Sequence, residues 1–226
     1  MPKPIGRLHV LTDFHFQQRY SHAEIARMAI AGGADTIQFR QKHGGIRDLL
    51  HEAQQTALAC QEHSIPLIVD DRIDVALACD AAGIHLGQTD FPVAEARRIL
   101  GSDKIIGATA TTLDQALRAQ DDGADYIGFG PVFETASKAN PASVKGLRAL
   151  AAVSRGVTIP VIAIAGIRVD RVASVIQSGA HGIAVMTAVT TAADPVGATQ
   201  QIRHALDEAI AETLIEGSSG DGVSNS

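Results

Sequence analysis

Short aliphatic and β-branched runs recur along the chain, separated by longer segments of mixed polarity. The runs are Leu8–Thr12, Thr36–Arg40, Pro66–Val69, Gly83–Leu86, Lys104–Thr109, Tyr126–Phe129, Val161–Ala165 and Gly182–Val185, each four to six residues long and poor in charge. That is the pattern of parallel strands covered on both faces. The intervening segments, among them Ser21–Ala31, Ile46–His63 and Leu113–Asp121, mix polar and apolar residues at helical spacing. Thr112 precedes the last of these and can cap it, its hydroxyl accepting a bond from an orphan backbone N–H. Eight βα units in strict alternation predict an α/β fold, a closed (β/α)8 TIM barrel in a single domain. An open doubly wound sheet is the alternative.

A repeated turn supports the barrel. Gly33-Ala34-Asp35, Gly123-Ala124-Asp125 and Gly179-Ala180-His181 each follow a helical segment and precede a strand, with Ala82-Gly83 a weaker copy. Glycine just past a helix end takes the left-handed conformation that caps the last carbonyls. Two stretches break the rhythm. Gly130–Lys145 far exceeds the roughly two to six residues usual for a βα link, and such lengths are typical of lids and binding loops. Beyond Ile215 the chain turns Gly/Ser-rich, so the expected organisation is a catalytic barrel over residues 1–215 and a disordered tail over 216–226.

With 226 residues, 46% of them hydrophobic, the chain can build one full core of this kind. A net charge of -6, no Trp, and no Lys/Arg run interleaved with aromatics argue against a nucleic-acid partner. No apolar stretch approaches the roughly 20 residues that span a bilayer, and Met1–Gly6 lacks the apolar core of a signal peptide. No membrane partner and a cytoplasmic location are therefore expected. Cys60 and Cys79 lie in apolar helical patterns away from any CxxC spacing and read as buried thiols of a reducing compartment. A homo-oligomer is compatible with the sequence.

In a barrel the C-terminal ends of all strands open on one mouth, and the polar residues collect there. Gln38-Phe39-Arg40-Gln41-Lys42 ends the second strand, Asp70-Asp71-Arg72 the third, and His85 to Asp90 the fourth. Thr109 closes the fifth, Thr135-Ala136-Ser137-Lys138 follows the sixth, and Gly166 and Met186-Thr187 end the seventh and eighth. Arg40 and Lys42 can face one phosphorylated ligand, the guanidinium bidentately and the ammonium as a mobile charge, or can be surface cations paired with neighbouring acids. Asp71 and Asp90 are hard oxygen donors of the kind Mg2+ takes beside substrate phosphate; as readily, each can cap the helix that follows it. Asp70 suits either part. Lys138, with Thr135 and Ser137, can close over a phosphate or stand solvated on its loop. Gly166-Ile167 and Met186-Thr187-Ala188 occupy the usual phosphate-binding place of this fold.

Nine histidines complete the inventory. His85 and His9 fall within strands and read as packed, hydrogen-bonded residues. His15, His22, His43, His51, His63, His181 and His204 read as loop or helix-surface residues, and no pair has the HExxH spacing of a zinc hydrolase.

Taken together, these segments resemble the thiamine phosphate synthase family over about residues 7–210. The resemblance is carried by Gln38–Lys42, Asp70-Asp71-Arg72-Ile73-Asp74-Val75-Ala76-Leu77, Gly83-Ile84-His85-Leu86-Gly87-Gln88-Thr89-Asp90, Gly123 to Phe133, and the Thr-x-Ser-Lys loop. It implies a transferase that joins an aminopyrimidine methyl pyrophosphate to a thiazole phosphate, with Mg2+ as cofactor and small phosphorylated molecules as partners. It also implies site roles. Gln38, Phe39, Arg40, Gln41, Lys42, Asp70, Thr109 and Lys138 would bind the pyrimidine pyrophosphate. Of these, Arg40, Lys42, Lys138 and Thr109 would be catalytic. Asp71 and Asp90 would hold the metal, and Thr135, Ala136, Ser137, Gly166, Met186 and Thr187 the thiazole phosphate.

The chain departs from the family pattern in places. Asp70 stands where Asn is usual, and Ala165-Gly166 where Gly-Gly is usual; Thr109 and Ser137 exchange one hydroxyl residue for another. A related thiazole tautomerase carries a His where this chain has Thr111 and tends to lose the Arg-x-Lys and paired-Asp features. A non-catalytic phosphate sensor on the same barrel is the alternative from a different class, with Asp70 and Ala165 as its best support.

Overall fold

The computed structural model describes residues 3–135 and 143–220, with side chains as far as Ile215. Its elements, in order, are β1 (Leu8–Thr12), α1 (His22–Ala31), β2 (Thr36–Phe39), α2 (Ile46–Gln61), β3 (Leu67–Asp70), α3 (Ile73–Ala78), β4 (Gly83–Leu86) and α4 (Val93–Leu100). They continue with β5 (Ile105–Ala110), α5 (Leu113–Asp121), β6 (Tyr126–Phe129), α6 (Gly146–Gly156), β7 (Val161–Ile164), α7 (Val172–Gln177), β8 (Gly182–Val185), α8 (Thr187–Thr190) and α9 (Pro195–Gly220). The strands pair in parallel from β1 through β8, and β1 closes on β8 through Leu8↔Ile183 and Val10↔Val185. The closed barrel is the predicted fold, and the open sheet is excluded.

Alternation along each strand sorts the chain into two cores. Outward-facing Val10, Ile37, Phe39, Val69, Ile127, Phe129, Ala163 and Ile183 meet helix residues such as Ala26, Ala53, Leu150, Val175 and Leu206 in the main apolar layer. Inside the barrel, Leu11, Tyr126, Ile162 and Ala184 form a smaller cluster. At about 25 cal/mol per Å2 removed from water, the outer layer supplies most of the driving force. The barrel interior is free to carry polar groups where they find partners.

Local signals behave as their chemistry dictates. Ser21 and Glu24 form a reciprocal capping box at the start of α1, and the Thr112 side chain accepts from the Gln115 N–H at the start of α5. The repeated turn takes positive φ at Gly33 (97°), Gly123 (96°) and Gly179 (89°), whereas before β4 the left-handed residue is Asp80 (49°) rather than Gly83. Strand β7 stops at Ile164, one residue before the predicted end, because Ala165 leaves extended geometry at φ 82°. Helix α9 runs to Gly220, into the stretch expected to be tail, and residues 221–226 lie outside those described. Ala136, Ser137 and Lys138 also lie outside the described residues. Among the described residues no helix is long and apolar enough to cross a membrane.

Candidate active site

The end of β2 shows how period-two geometry selects residues for the mouth. Gln38 points into the barrel and is buried, its Nε2 donating to His9 Nδ1 (2.9 Å) and the Tyr126 hydroxyl (3.3 Å). Phe39 must then point outward, and it packs against the His22 ring (4.5 Å between centroids) in the main core. The Phe39 side chain therefore packs in the core and fixes the position of the strand, so that any contact of this residue with a ligand at the mouth would be through its backbone. Arg40, next on the inward phase, is ion-paired to Asp13 at the end of β1. Asp13 is 3% exposed and also accepts from the His15 N–H at 2.5 Å. Nothing had singled it out, although Thr12-Asp13 sits at a strand end like every other candidate.

The acids of β3 and β4 stand against those cations. Lys42 is ion-paired to Asp71. Asp71 has φ 66° and lies at the centre of a tight turn closed by the Arg72 N–H donating to Asp70 O at 2.8 Å. A non-glycine residue in that conformation costs about 1–3 kcal/mol and persists only where surroundings impose it, as functional sites do. Its own N–H donates to His85 O (2.9 Å), tying the strained residue to β4.

Neither acid caps a helix. The residue capping α3 is Arg72, the one capping α4 is Pro92, and Asp90 instead accepts from the Gly87 N–H at 2.7 Å. The Asp71 and Asp90 carboxyls lie close enough that each shifts the titration of the other, in opposite directions. Burial, and then Asp90 beside it, raise Asp71 against the pull of Lys42. Burial works to raise Asp90 too, but the Asp71 carboxyl and the Gly87 N–H bring it below the usual carboxylate range.

Asp70 is the most perturbed of the three acids. The residue as a whole is partly exposed, yet its Oδ1 is sealed from solvent without a hydrogen bond. Burial and the neighbouring Asp71 push its pKa up to about 8, against the pull of Arg40 and Lys42. The neutral carboxyl is therefore favoured near neutral pH, which lessens the repulsion that a further carboxylate here would exert on an anion.

Strand β5 joins through Thr109, whose hydroxyl is 2.9 Å from His85 Nε2 and whose carbonyl accepts from Gln88 Nε2 (2.6 Å). Thr111, at the position where the tautomerase branch has His, bonds Gln115 Oε1 through both N–H (2.7 Å) and hydroxyl (3.0 Å) and so belongs to the α5 cap.

The β6–β8 side of the mouth is built on backbone contacts between the start of the long loop and the end of β7. Phe133 N–H donates to Ala165 O (3.2 Å), laying the start of the long loop against the end of β7. Gly166 has φ 66°, and a Cβ there would fall 2.4 Å from Glu134 O, so only glycine fits beneath this loop. Arg171, unremarked in the sequence, donates to Gly166 O (2.6 Å) while its guanidinium lies over the Phe133 ring. Met186 and Thr187 mark the passage from β8 into α8, and Thr135 ends the described part of the loop.

One histidine is corrected. His22, expected on a helix surface, is 1% exposed, wedged between Phe14 (4.0 Å) and Phe39 (4.5 Å). As the first residue of α1 its ring turns back over the end of β1, where Nδ1 and Thr12 Oγ1 are hydrogen-bonded at 2.6 Å. Burial lowers its pKa to about 4, against the pull of Asp13 and Gln41.

The donor chemistry suits a hard divalent cation. Asp71 and Asp90 are two carboxylates that follow adjacent strands and act on one another electrostatically, and the usual remaining ligands of Mg2+ are substrate phosphate oxygens and water. Among the described residues no cluster of three or more His, Cys, Asp or Glu forms a metal cage by itself.

Comparison with known proteins gives the family. The family model for thiamine monophosphate synthase matches residues 8–189. A thiamine-phosphate synthase from Salinibacter ruber is 59% identical, covering 93% of this chain and 92% of that protein. One from Chloroflexus aurantiacus is 45% identical over 87% and 91%. The solved thiamine phosphate pyrophosphorylase from Pyrococcus furiosus superposes with a TM-score of 0.83 at 39% identity, covering 90% and 96% of the two chains. A geranylgeranylglyceryl phosphate synthase from Thermoplasma acidophilum, 19% identical with a TM-score of 0.68, shares the fold alone.

Proposed function

The chain belongs to the thiamine monophosphate synthase family, and from that premise we propose that its mouth joins an aminopyrimidine methyl pyrophosphate to a thiazole phosphate, releasing thiamine phosphate and pyrophosphate. The observation that carries the reading is the gathering of two ion pairs, Asp13–Arg40 and Lys42–Asp71, around Asp70 at the ends of β1 to β3, with Asp90 acting on Asp71 from beyond β4. Cations and paired carboxylates on one rim are what a diphosphate and its metal need. The β6–β8 rim, with the obligatory glycine at Gly166, suits the second, singly phosphorylated substrate.

The reaction breaks the C–O bond between the pyrimidinylmethyl carbon and the diphosphate, whose oxygen keeps the electron pair. The electron-rich aminopyrimidine stabilises the resulting cation, and the thiazole nitrogen supplies the pair for the new C–N bond. Arg40 and Lys42 neutralise charge growing on the leaving group, and Lys138 is the third cation assigned to it by the family resemblance. Asp71 and Asp90 would hold Mg2+, which supplies further charge neutralisation at the diphosphate. Gln38, Gln41, Asp70 and Thr109 line the pyrimidine half. Thr135, Ala136, Ser137, Gly166, Met186 and Thr187 hold the thiazole phosphate. No protein nucleophile is required; the side chains place two reactants and exclude water from a reactive cation.

The test is direct. Purified protein given both phosphorylated halves and Mg2+ should release thiamine phosphate and pyrophosphate together. Binding of either half with no product would overturn the reading in favour of a sensor.

A further inference from the structure

A chain of hydrogen bonds crosses the barrel interior beneath the mouth, linking five strands. It starts at the Gly6 carbonyl, 3.0 Å from His9 Nε2. It continues from His9 Nδ1 to Gln38 Nε2 (2.9 Å), from Gln38 Nε2 to the Tyr126 hydroxyl (3.3 Å), from that hydroxyl to His85 Nδ1 (3.0 Å), and from His85 Nε2 to the Thr109 hydroxyl (2.9 Å). Gln38 and Thr109 belong to the site proposed above; His9 and Tyr126 do not reach the mouth, being 1% exposed each.

The chemistry of its first member sets the direction of the whole chain. A carbonyl can only accept, so His9 Nε2 carries the ring proton. Burial holds this imidazole neutral, its pKa lowered to about 4, so Nδ1 is bare and must accept. Gln38 therefore presents its amide NH2 to His9, and the second N–H goes to the Tyr126 oxygen. Burial drives the Tyr126 pKa well above its ordinary value, so the phenol keeps its proton and donates it to His85 Nδ1. His85 Nε2–H then donates to Thr109. Two groups are left over at the top of the chain: the Gln38 carbonyl oxygen, an acceptor, and the Thr109 hydroxyl proton, a donor.

We propose that His9 and Tyr126 are positioning residues for the pyrimidine half, fixing Gln38 as an acceptor and Thr109 as a donor so that the site prefers an aminopyrimidine over its oxo counterpart. The inference rests on the synthase reading. An aminopyrimidine edge offers an amino donor and a ring-nitrogen acceptor, the complement of this pair, whereas an oxopyrimidine offers a carbonyl acceptor and a ring N–H. Mismatched, each buried polar group loses its partner, the case in which discrimination by hydrogen bonding is strongest. Two strand glycines make room for the chain. A Cβ on Gly107 would lie 2.1 Å from Tyr126 Cζ, and one on Gly128 would lie 2.7 Å from His85 Cε1. Both rings are thus held flush against bare backbone.

The experiment has two arms. Tyr126→Phe keeps the ring over Gly107 and removes one hydroxyl. KM for the aminopyrimidine pyrophosphate should rise about tenfold. The preference over the oxo analogue should shrink by a similar factor, with KM for the thiazole phosphate unchanged. His9→Leu should act likewise, and His9→Asn, which can return an acceptor oxygen near the Nδ1 position, should recover much of the loss. Equal losses for both substrates, or an intact amino-over-oxo preference, would overturn the proposal. The second arm reads the tautomers of the unmodified protein by 15N spectra of labelled histidine. Nε2–H on both His9 and His85 is expected, and Nδ1–H on either overturns the relay whether or not thiamine phosphate is made. A wild-type chain with both tautomers as expected but no product would refute the synthase reading instead.

Discussion

Replacing His22 by Gln removes an imidazole that the fold holds neutral between two aromatic rings. In the unfolded chain such a histidine titrates near 6.5; in the folded protein burial lowers it to about 4. Between those values the unfolded state binds a proton that the native state does not. The stability attached to His22 is therefore complete above about pH 6.5 and is lost progressively as pH falls toward about 4. The whole interval corresponds to about 3 kcal/mol, of which about 2 kcal/mol is already lost near pH 5. Urea unfolding of wild type and His22→Gln at about pH 7 and about pH 5 measures it as a difference between differences. Other titrating groups cancel in that comparison, including Asp70, whose raised pKa acts in the opposite sense over the same range. At the higher pH the variant should be less stable, having lost the ring contacts and the bond to Thr12. At the lower pH the gap should narrow by about 2 kcal/mol. A gap independent of pH would mean that the imidazole titrates as it does in water, and the burial assigned to it would be wrong.

Four further substitutions probe the mouth. Asp90→Ala should nearly abolish turnover while changing the unfolding free energy in urea by under about 1 kcal/mol, since one backbone N–H, that of Gly87, loses its acceptor; unchanged turnover would remove the metal assignment. Asp13→Asn and Lys42→Met separate structure from chemistry. The Asp13–Arg40 pair is 3% and 16% exposed at its side chains, so breaking it should cost about 3 kcal/mol. Lys42 is 43% exposed, and its loss should cut turnover with a stability change under about 1 kcal/mol; equal stability losses in denaturant would contradict this contrast. Ala165→Gly should stabilise by about 0.5–1 kcal/mol, because φ 82° strains alanine by slightly more than glycine's extra chain entropy costs; a destabilised variant would show that the backbone there is not strained.

The barrel was legible because each strand is buried on both faces, which writes an uninterrupted apolar run, and because Gly33, Gly123 and Gly179 mark helix ends where positive φ is required. The mouth was legible in outline, since strand ends are where polar residues interrupt those runs. What could not be read was the choice between alternatives of equal local merit. Asp71 and Asp90 stand where either a helix cap or a ligand is reasonable, and only the fold shows that Arg72 and Pro92 take the cap positions instead. Phe39 shares a motif with Gln38 and Arg40 yet belongs to the opposite face, which a motif read as a block conceals. His22 opens a helix whose first turn bends over β1, and no periodicity reports that bend. Asp13, the brace of Arg40, is a lone acid whose partner lies 27 residues on, a pairing that only the closure of β1 against β2 creates.

The most direct measurement is a crystal structure of the protein soaked with Mn2+ and pyrophosphate, with the metal located by its anomalous signal. A single peak between the Asp71 and Asp90 carboxylates, with diphosphate oxygens against Arg40 and Lys42, is the predicted result. Metal and diphosphate bound apart from one another, or away from this rim, would contradict the claim that one pocket carries the chemistry.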